Sequence, residues 1–177
     1  MAAKSELMEF TGGKMIRTLE EKDIEIVCNI VNDSWNSVYA GYVNPLLLNE
    51  DGCAERIRQL KSDFATHRLS EYVWEENNQV SAMLSIGDTA DKDMTEAFEI
   101  WRIYVAAQFQ KKGIGKSLLD FAEQRAKEQG YKKIVIWAFK DNHQAVSFYQ
   151  KSGYCIDKEE YLDEPYFAMG IRLKKEI

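Results

Sequence analysis

The segment from Phe98 to Gly130 constrains the fold most, because a buried strand, a glycine-containing turn and an amphipathic helix follow one another within it. Its opening residues, FEIWRIYV, are mostly apolar or β-branched, which predicts a buried strand. From Ile114 to Ala126, apolar residues recur at helical spacing, which predicts a helix that ends near Gly130. The next apolar run, KKIVIWAF, predicts a second buried strand and completes a βαβ unit.

The turn at Gln110–Lys116, with the sequence QKKGIGK, has the properties of a phosphate-binding site. The first N–H groups of a helix have no partner inside that helix, and the helix dipole favours an anion there. Gly113 and Gly115 lack the Cβ atoms that would keep a pyrophosphate away from these N–H groups. Three lysines add positive charge around the turn: Lys111, Lys112 and Lys116.

The spacing of the two glycines limits what the ligand can be. It matches neither the G-x-G-x-x-G pattern of dinucleotide sites nor the Gly-Lys-Ser/Thr ending of a P-loop. We therefore expect a ligand that carries a pyrophosphate but need not be a dinucleotide or a nucleoside triphosphate. An ordinary flexible glycine loop is the alternative that these residues leave open.

The composition is that of a soluble, folded domain. The chain has 177 residues, of which 45% are hydrophobic and 29% charged, enough for one domain with a sizeable core. Its net charge of −6 argues against general nucleic-acid binding, and no apolar run approaches the length of a membrane span. Its three cysteines fit neither a disulfide framework nor a zinc site. We therefore expect a cytoplasmic protein with reduced thiols and no bound metal.

The remaining patterns predict one mixed α/β (α+β) domain over residues 15–177, preceded by a loose extension over residues 1–14. The expected order of elements is β, α, α, β, β, β, α, β, α, β, β. We expect strands at 15–19, 72–76, 80–86, 97–105, 132–139, 154–161 and 166–173. We expect two helices that end near residues 39 and 130, one that begins after residue 49, and a short one at 144–151.

A short motif in the turn resembles the coenzyme motif of the Gcn5-related N-acetyltransferase (GNAT) superfamily. That motif is Gln or Arg, two residues, Gly, one residue, and then Gly or Ala. Gln110, Gly113 and Gly115 match it. The apolar strand residues that usually precede it are present as Ile103, Tyr104 and Val105. Ala106-Ala107 stands where a Pro is common, which changes how the strand leads into the loop but not the phosphate chemistry.

A second motif of the same family contains Asn, Ala, Phe-Tyr, a basic residue and Gly-Phe. The matching residues are Asn142, Ala145, Phe148, Tyr149, Lys151, Gly153 and Tyr154. Tyr154 stands where the family usually has Phe. The two motifs have the family's separation, and the element order agrees over roughly residues 15–173.

The resemblance implies a GNAT fold with a mixed central sheet of six to seven strands, splayed at the acetyl-CoA strand and flanked by about four helices. It also implies acetyl-CoA as the co-substrate and direct transfer of the acetyl group to a primary amine. The pyrophosphate would lie on the turn, and the pantetheine arm would pair with the preceding strand. The expected coenzyme-binding residues are Ile103, Tyr104, Val105, Gln110, Lys111, Lys112, Gly113, Ile114, Gly115, Lys116, Asn142, Ala145 and Tyr149.

Two residues are candidates for the proton transfers of such a reaction. An alkyl ammonium has a pKa of about 10.4, so a general base helps the acceptor to lose its proton. Glu99 lies where some family members place this base; the alternative is a strand-end carboxylate, in solvent or paired with Arg102. Tyr149 can protonate or hydrogen-bond the leaving thiolate, or be a core aromatic. Asn142 can bond the pantetheine arm, cap its helix, or do both.

The resemblance also implies that the first two helices and the terminal hairpin line the acceptor side. The aromatic residues predicted to bind substrate are Trp35, Tyr39, Tyr161 and Tyr166, with simple core packing as the alternative for the first two. The hairpin also carries five carboxylates: Asp157, Glu159, Glu160, Asp163 and Glu164. Their negative field favours a small cationic amine of the polyamine kind, against the alternative of ordinary surface charge.

Other functions stay open at this point. The acceptor could be an amino group of a protein or peptide, since the sequence does not fix it. The chain could also bind acetyl-CoA as a catalytically silent sensor, or keep the fold as a structural or regulatory protein. A homodimer stays open as well, whereas we expect neither a nucleic acid nor a membrane as partner.

Overall fold

The computed structural model of the protein describes residues 7–177, which form eight strands and four α-helices. The strands are β1 (Leu7–Phe10), β2 (Lys14–Thr18), β3 (Ser70–Glu76), β4 (Gln79–Asp88), β5 (Phe98–Val105), β6 (Lys133–Phe139), β7 (Cys155–Leu162) and β8 (Ala168–Glu176). The helices are α1 (Ile24–Val38), α2 (Glu50–Thr66), α3 (Ile114–Glu128) and α4 (His143–Lys151). The predicted element order is confirmed, with one strand added at the start.

All eight strands belong to one mixed sheet in the order β1-β2-β3-β4-β5-β6-β8-β7. Neighbours are antiparallel except β5 and β6, which run parallel because α3 carries the chain back across the sheet. Apolar side chains of α3 and α4 pack on one face of the sheet, and those of α1 and α2 pack on the other. The predicted α/β fold is confirmed, with eight strands rather than six to seven.

The additional strand comes from the segment that was expected to be a loose extension. β1 pairs antiparallel with β2 along its whole length, across a turn in which Gly12 has a φ of +80°. The Phe10 ring packs on Trp74 with centroids 5.0 Å apart, so burial of this ring holds the strand on the sheet. The expectation of a loose extension is therefore wrong for residues 7–14, and residues 1–6 lie outside the described part of the chain.

β5 and β6 stay together over only part of their length. Their parallel pairing covers three positions and ends at Ile100 and Ile136, whereas β5 continues to pair with β4 as far as Val105. One extra residue of β5, Trp101, lies in a register shift against β4 next to the point where pairing with β6 ends. The predicted splay is confirmed as a gap that opens toward the C-terminal ends of β5 and β6.

Candidate active site

The turn before α3 has the backbone that its glycines predict. Gly113 is the N-cap residue with a φ of +86°, and the space around the position of its absent Cβ is open. Lys111 also has a left-handed φ, of +61°, which costs a non-glycine residue about 1 kcal/mol or more and is typical of functional sites. Because Gly113 has no side chain to cap the helix, the N–H groups of the first turn are available to an anion.

A cavity of about 340 Å³ runs from this turn into the gap between β5 and β6. Eleven of the predicted coenzyme-binding residues line it: Ile103, Tyr104, Val105, Gln110, Lys111, Gly113, Gly115, Lys116, Asn142, Ala145 and Tyr149. Tyr39, directly after α1, lines it from one face of the sheet and Tyr149 on α4 from the other, so the cavity crosses the sheet through the gap. Within the described sheet, no strand pairs with this edge of β5 beyond Ile100, which leaves it open to an extended ligand.

Two predicted coenzyme-binding residues lie outside the cavity. The Ile114 side chain is buried in the core, and the Lys112 ammonium lies 4.9 Å from the centre of the Phe109 ring. Five lining residues were not predicted: Ser34, Val38, Phe109, Gln144 and Phe148. Ser34 and Val38 lie one turn apart on α1, so the helical periodicity of that segment was the signal for both.

Two polar side chains at the cavity are held by bonds within the protein. The Gln110 amide donates to the Val105 carbonyl at 3.0 Å, which ties the turn to the end of β5. The Asn142 side chain accepts from the Ala145 N–H at 3.2 Å, so the predicted helix cap is confirmed. Both bonds fix the ends of elements that border the gap.

Tyr149 has the environment of a neutral hydrogen-bond donor. It is 6% exposed, and burial raises the pKa of its phenol above the ordinary value. Burial also raises the pKa of the neighbouring Tyr104 phenol. Both hydroxyl groups therefore keep their protons across the physiological pH range.

Glu99 lies at the closed end of the gap and does not line the cavity. It is 6% exposed, and because its neighbour Ile100 packs toward α3, Glu99 points to the face of α1 and α2. Burial raises the pKa of its carboxyl to about 6, and the Thr89 hydroxyl donates to its Oε2 at 2.7 Å. The alternatives of a solvent-exposed carboxylate and of a pair with Arg102 are wrong, because Glu99 is buried and Arg102 pairs instead with Asp63 at 2.5 Å.

Phe139, at the end of β6, is the centre of an aromatic cluster. Its ring centroid lies 5.1 Å from that of Tyr39, 5.9 Å from that of Trp35 and 5.8 Å from that of Tyr166. The cluster joins α1, β6 and the connection from β7 to β8 beside the gap. Both Trp35 and Tyr39 pack in the cluster, and Tyr39 also lines the cavity whereas Trp35 does not.

Tyr161 is not part of this cluster. It is 53% exposed and pairs with Met169, whereas the next residue of β8, Gly170, pairs with Phe139. Successive strand residues point to opposite faces, so Tyr161 lies on the face opposite to Phe139. The sheet therefore separates Tyr161 from the other three aromatic residues that were predicted to bind substrate. The register shift at Asp157 determines to which face of the sheet the later side chains of β7 point, and a sequence pattern does not reveal such a shift.

The five hairpin carboxylates do not form one free negative patch. Three of them form ion pairs, Asp157 with Arg172, Glu159 with Lys140 and Glu160 with Lys158, at 3.1, 2.7 and 2.7 Å. Asp163 and Glu164 lie in the turn between β7 and β8 and have no ion pair among the described residues. The net negative charge of the hairpin is therefore concentrated at its turn.

Residues 7–177 contain all three cysteines of the chain. The cysteines are free thiols, with Cys28 buried and Cys155 exposed. No group of three or more His, Cys, Asp or Glu side chains in this range is arranged to hold a metal ion. No helix in the same range has the length and apolar character needed to cross a membrane.

A sequence model of the Acetyltransferase (GNAT) family matches residues 27–154, a range that includes the turn before α3, the gap and the cavity-lining part of α4. The chain therefore belongs to the GNAT family of acetyl-CoA-dependent N-acetyltransferases.

Individual relatives agree with this assignment. Spermidine N(1)-acetyltransferase of Thermoplasma acidophilum is 27% identical over 157 residues, which cover 84% of this chain and 92% of that protein. An N-acetyltransferase structure from Staphylococcus aureus Mu50 superposes with a TM-score of 0.72 at 23% identity, over 92% of this chain and 98% of that one. The PaiA N-acetyltransferase of Thermoplasma acidophilum, solved in complex with coenzyme A, gives 0.69 at 22% identity, over 93% and 99%. Both structures support the fold.

Proposed function

We propose that this protein transfers the acetyl group of acetyl-CoA directly to a primary amine of a small molecule, with a polyamine-like amine as acceptor. The observation that carries the proposal is the continuous cavity from the N-terminus of α3 into the gap between β5 and β6. The turn suits a pyrophosphate, and the gap suits an extended arm whose end is reached from both faces of the sheet. Membership of the family supports the same reaction.

The residues around the cavity fit the charge and shape of acetyl-CoA, which supplies the activated acetyl group. A pyrophosphate fits the first turn of α3, where Gly113 leaves open space and Lys111 adds positive charge. Lys116 contributes less charge, because it already pairs with Asp120. The free edge of β5 over 103–105 offers backbone groups to the amides of the pantetheine arm.

Tyr149 is the residue that we assign to the leaving thiolate. A thiol has a pKa of about 8.5 and a phenol one of about 10, which burial of Tyr149 raises further. Full proton transfer to the thiolate is therefore unfavourable, and a hydrogen bond from the Tyr149 hydroxyl is the role that fits.

Glu99 is the residue that we assign as general base. With a pKa of about 6, most of its carboxyl is ionised at pH 7 and remains basic enough to accept a proton. About 13 Å of strand separate Glu99 from Ile103, taking roughly 3.3 Å per residue. The proton therefore reaches Glu99 through water, or from an acceptor that extends to the closed end of the gap.

Three observations support a polyamine-like acceptor. The Thermoplasma relative carries the name of a spermidine acetyltransferase. The rings of Tyr39, Phe139 and Tyr166 can pack on methylene groups or face an ammonium group. Asp163 and Glu164 add negative charge at the adjacent turn, which attracts a cation.

A peptide amino group is the second candidate. Apolar side chains near the aromatic cluster are exposed, with Leu46 at 66%, Phe167 at 52% and Tyr166 at 38%. The Asn44 N–H donates to the Tyr166 carbonyl at 2.9 Å, so the segment with Leu46 lies beside the β7–β8 turn. An exposed apolar rim of this kind suits a larger acceptor.

The test is an acceptor screen with the full-length protein, in which release of the coenzyme thiol from acetyl-CoA is followed. Spermidine, hexylamine and a lysine-containing peptide are compared at equal concentrations. We expect the highest kcat/KM for spermidine. Faster acetylation of the peptide would favour the second candidate, and coenzyme binding without turnover would favour a silent sensor. Failure to bind acetyl-CoA in calorimetry would contradict the proposed function as a whole.

A further inference from the structure

A hydrogen-bonded chain leads from the loop between β4 and β5 to Glu99. The Thr89 hydroxyl donates to Glu99 Oε2 at 2.7 Å and accepts from the Asp91 N–H at 3.1 Å. A hydroxyl has a single proton, so this arrangement fixes both the Thr89 hydroxyl and the carboxylate oxygen that it contacts.

The Asp91 side chain is itself held from two directions. Its Oδ2 accepts from the Trp137 indole N–H and from Arg172 Nη1, both at 2.9 Å. Arg172 is 3% exposed and also makes two-point contacts with each of Asp93 and Asp157. One buried guanidinium thus ties the β4–β5 loop to β6, β7 and β8.

These contacts lie on the acceptor face of the gap. Trp137 is the first residue of β6 beyond the pairing with β5, and its neighbour Ile136 packs toward α3. Side chains alternate along a strand, so Trp137 and Glu99 both point to the face of α1 and α2. Neither Thr89 nor Asp91 lines the cavity, so we expect neither to contribute to coenzyme binding.

We propose that Thr89, Asp91 and Arg172 are positioning residues that hold the Glu99 carboxylate in the orientation needed to accept the acceptor's proton. The inference rests on the proposed role of Glu99 and extends it to residues that touch neither substrate. A carboxylate that is hydrogen-bonded to an anchored loop keeps the same orientation throughout turnover. Efficient proton transfer requires such a fixed orientation.

The groups that face Glu99 make this inference testable by pH. The pKa of the Glu99 carboxyl is raised to about 6, and burial is the largest cause. The charge of Asp91 also raises it. The hydrogen bonds from the Thr89 hydroxyl and the Ala90 N–H lower it, as does the charge of Arg68. Loss of the Thr89 hydroxyl must therefore raise the pKa of Glu99, whereas loss of the Asp91 charge must lower it.

The experiment measures kcat/KM against pH for the full chain, with acetyl-CoA and the amine acetylated fastest in the acceptor screen. Thr89→Val should move the acidic limb upward by about half a pH unit or more, and Asp91→Asn should move it downward. Thr89→Ser restores the hydroxyl and should return the limb to the wild-type position. The dissociation constant of acetyl-CoA should be unchanged in all three variants.

Glu99→Gln distinguishes a wrong assignment of the base from a wrong assignment of the positioning residues. If this variant keeps the wild-type limb, Glu99 is not the base, and the inference falls with it. If it removes the limb while Thr89→Val and Asp91→Asn leave the limb in place, Glu99 stays the base and only the positioning chain is wrong. Should Thr89→Val fail to fold, Asp91→Asn decides alone, because an Asn side chain can still accept from Trp137 and Arg172.

Discussion

The Trp35 indole N–H donates to the Tyr104 hydroxyl at 3.0 Å and so joins helix α1 to the free end of strand β5. Arg56 stacks on the Trp35 ring, with its guanidinium carbon 4.5 Å from the ring centre. The bond connects the face of the sheet covered by α1 and α2 to a strand that borders the gap.

Removing the acceptor of this bond should cost stability. Tyr104→Phe keeps the ring but leaves the Trp35 N–H without its partner, and we expect the free energy of unfolding to fall by about 1–2 kcal/mol. Urea denaturation measures the change. Tyr161→Phe is the control, because its 53% exposed side chain should change stability by less than about 0.5 kcal/mol. Equal stabilities of the two variants would show that the bond contributes nothing.

Gly113→Glu should weaken coenzyme binding by placing an anion where the pyrophosphate is expected. We expect a loss of at least about 1.4 kcal/mol, a tenfold rise in the dissociation constant of acetyl-CoA measured by calorimetry. Gly130→Glu is a matched control, because both glycines have left-handed backbones, with φ of +86° and +87°, and open space at Cβ. Gly130 follows the opposite end of α3, so equal binding losses in the two variants would point to strain rather than to the site.

Tyr149→Phe should lower kcat by about one to three decades while coenzyme binding changes little, as is usual when a hydrogen bond to a reacting group is lost. Tyr154→Phe serves as the comparison, since Tyr154 is also buried and its ring lies 6.1 Å from that of Tyr149, yet it does not line the cavity. An unchanged kcat in Tyr149→Phe would show that Tyr149 has a purely structural role.

Glu99→Gln should stabilise the fold at neutral pH. The pKa of the folded carboxyl is raised from 4.5 to about 6, so the folded state favours the protonated form, and ionisation destabilises it as pH rises through this window. Relative to wild type we expect a gain of about 1–2 kcal/mol at pH 7.5 that disappears below about pH 4.5. Urea denaturation at both pH values measures it. A gain that is independent of pH would contradict the raised pKa.

The two unpaired acids of the β7–β8 turn should determine the attraction of a cationic acceptor. The double variant Asp163→Asn, Glu164→Gln should raise the KM for spermidine about two- to fivefold at low salt, and high salt should remove the difference. The double variant Glu159→Gln, Glu160→Gln changes the charge equally but at acids that already pair with Lys140 and Lys158, so a smaller effect is expected. Equal effects would argue for a general field of the hairpin.

Local chemistry made the turn before α3 and the elements on both sides of it predictable. The turn, the helix after it and the buried strand before it each have their own composition, and the turn residues Gln110, Gly113 and Gly115 all line the cavity. The gap followed from the family resemblance, whereas the register shift at Trp101 beside it depends on the pairing between strands and was not predicted.

The aromatic cluster and the ion pairs of Arg172 were less predictable because they depend on contacts between distant segments. Phe139 was identified only as part of a buried strand, although its ring is the centre of the aromatic cluster. The face to which Tyr161 points was not predictable, because one unpaired residue in β7 reverses the alternation of its side chains. The acids around Arg172 come from two segments more than sixty residues apart, and no sequence pattern brings them together.

The short contact between β5 and β6 divides the sheet into two mechanical halves. Five strands lie on one side and three on the other, and only three residue positions join them directly. An extended co-substrate that pairs with β5 in the gap adds backbone bonds where the sheet itself has none. The enzyme would then gain rigidity when its donor binds and lose it when the spent donor leaves, so that each catalytic cycle is also a cycle of sheet completion and opening.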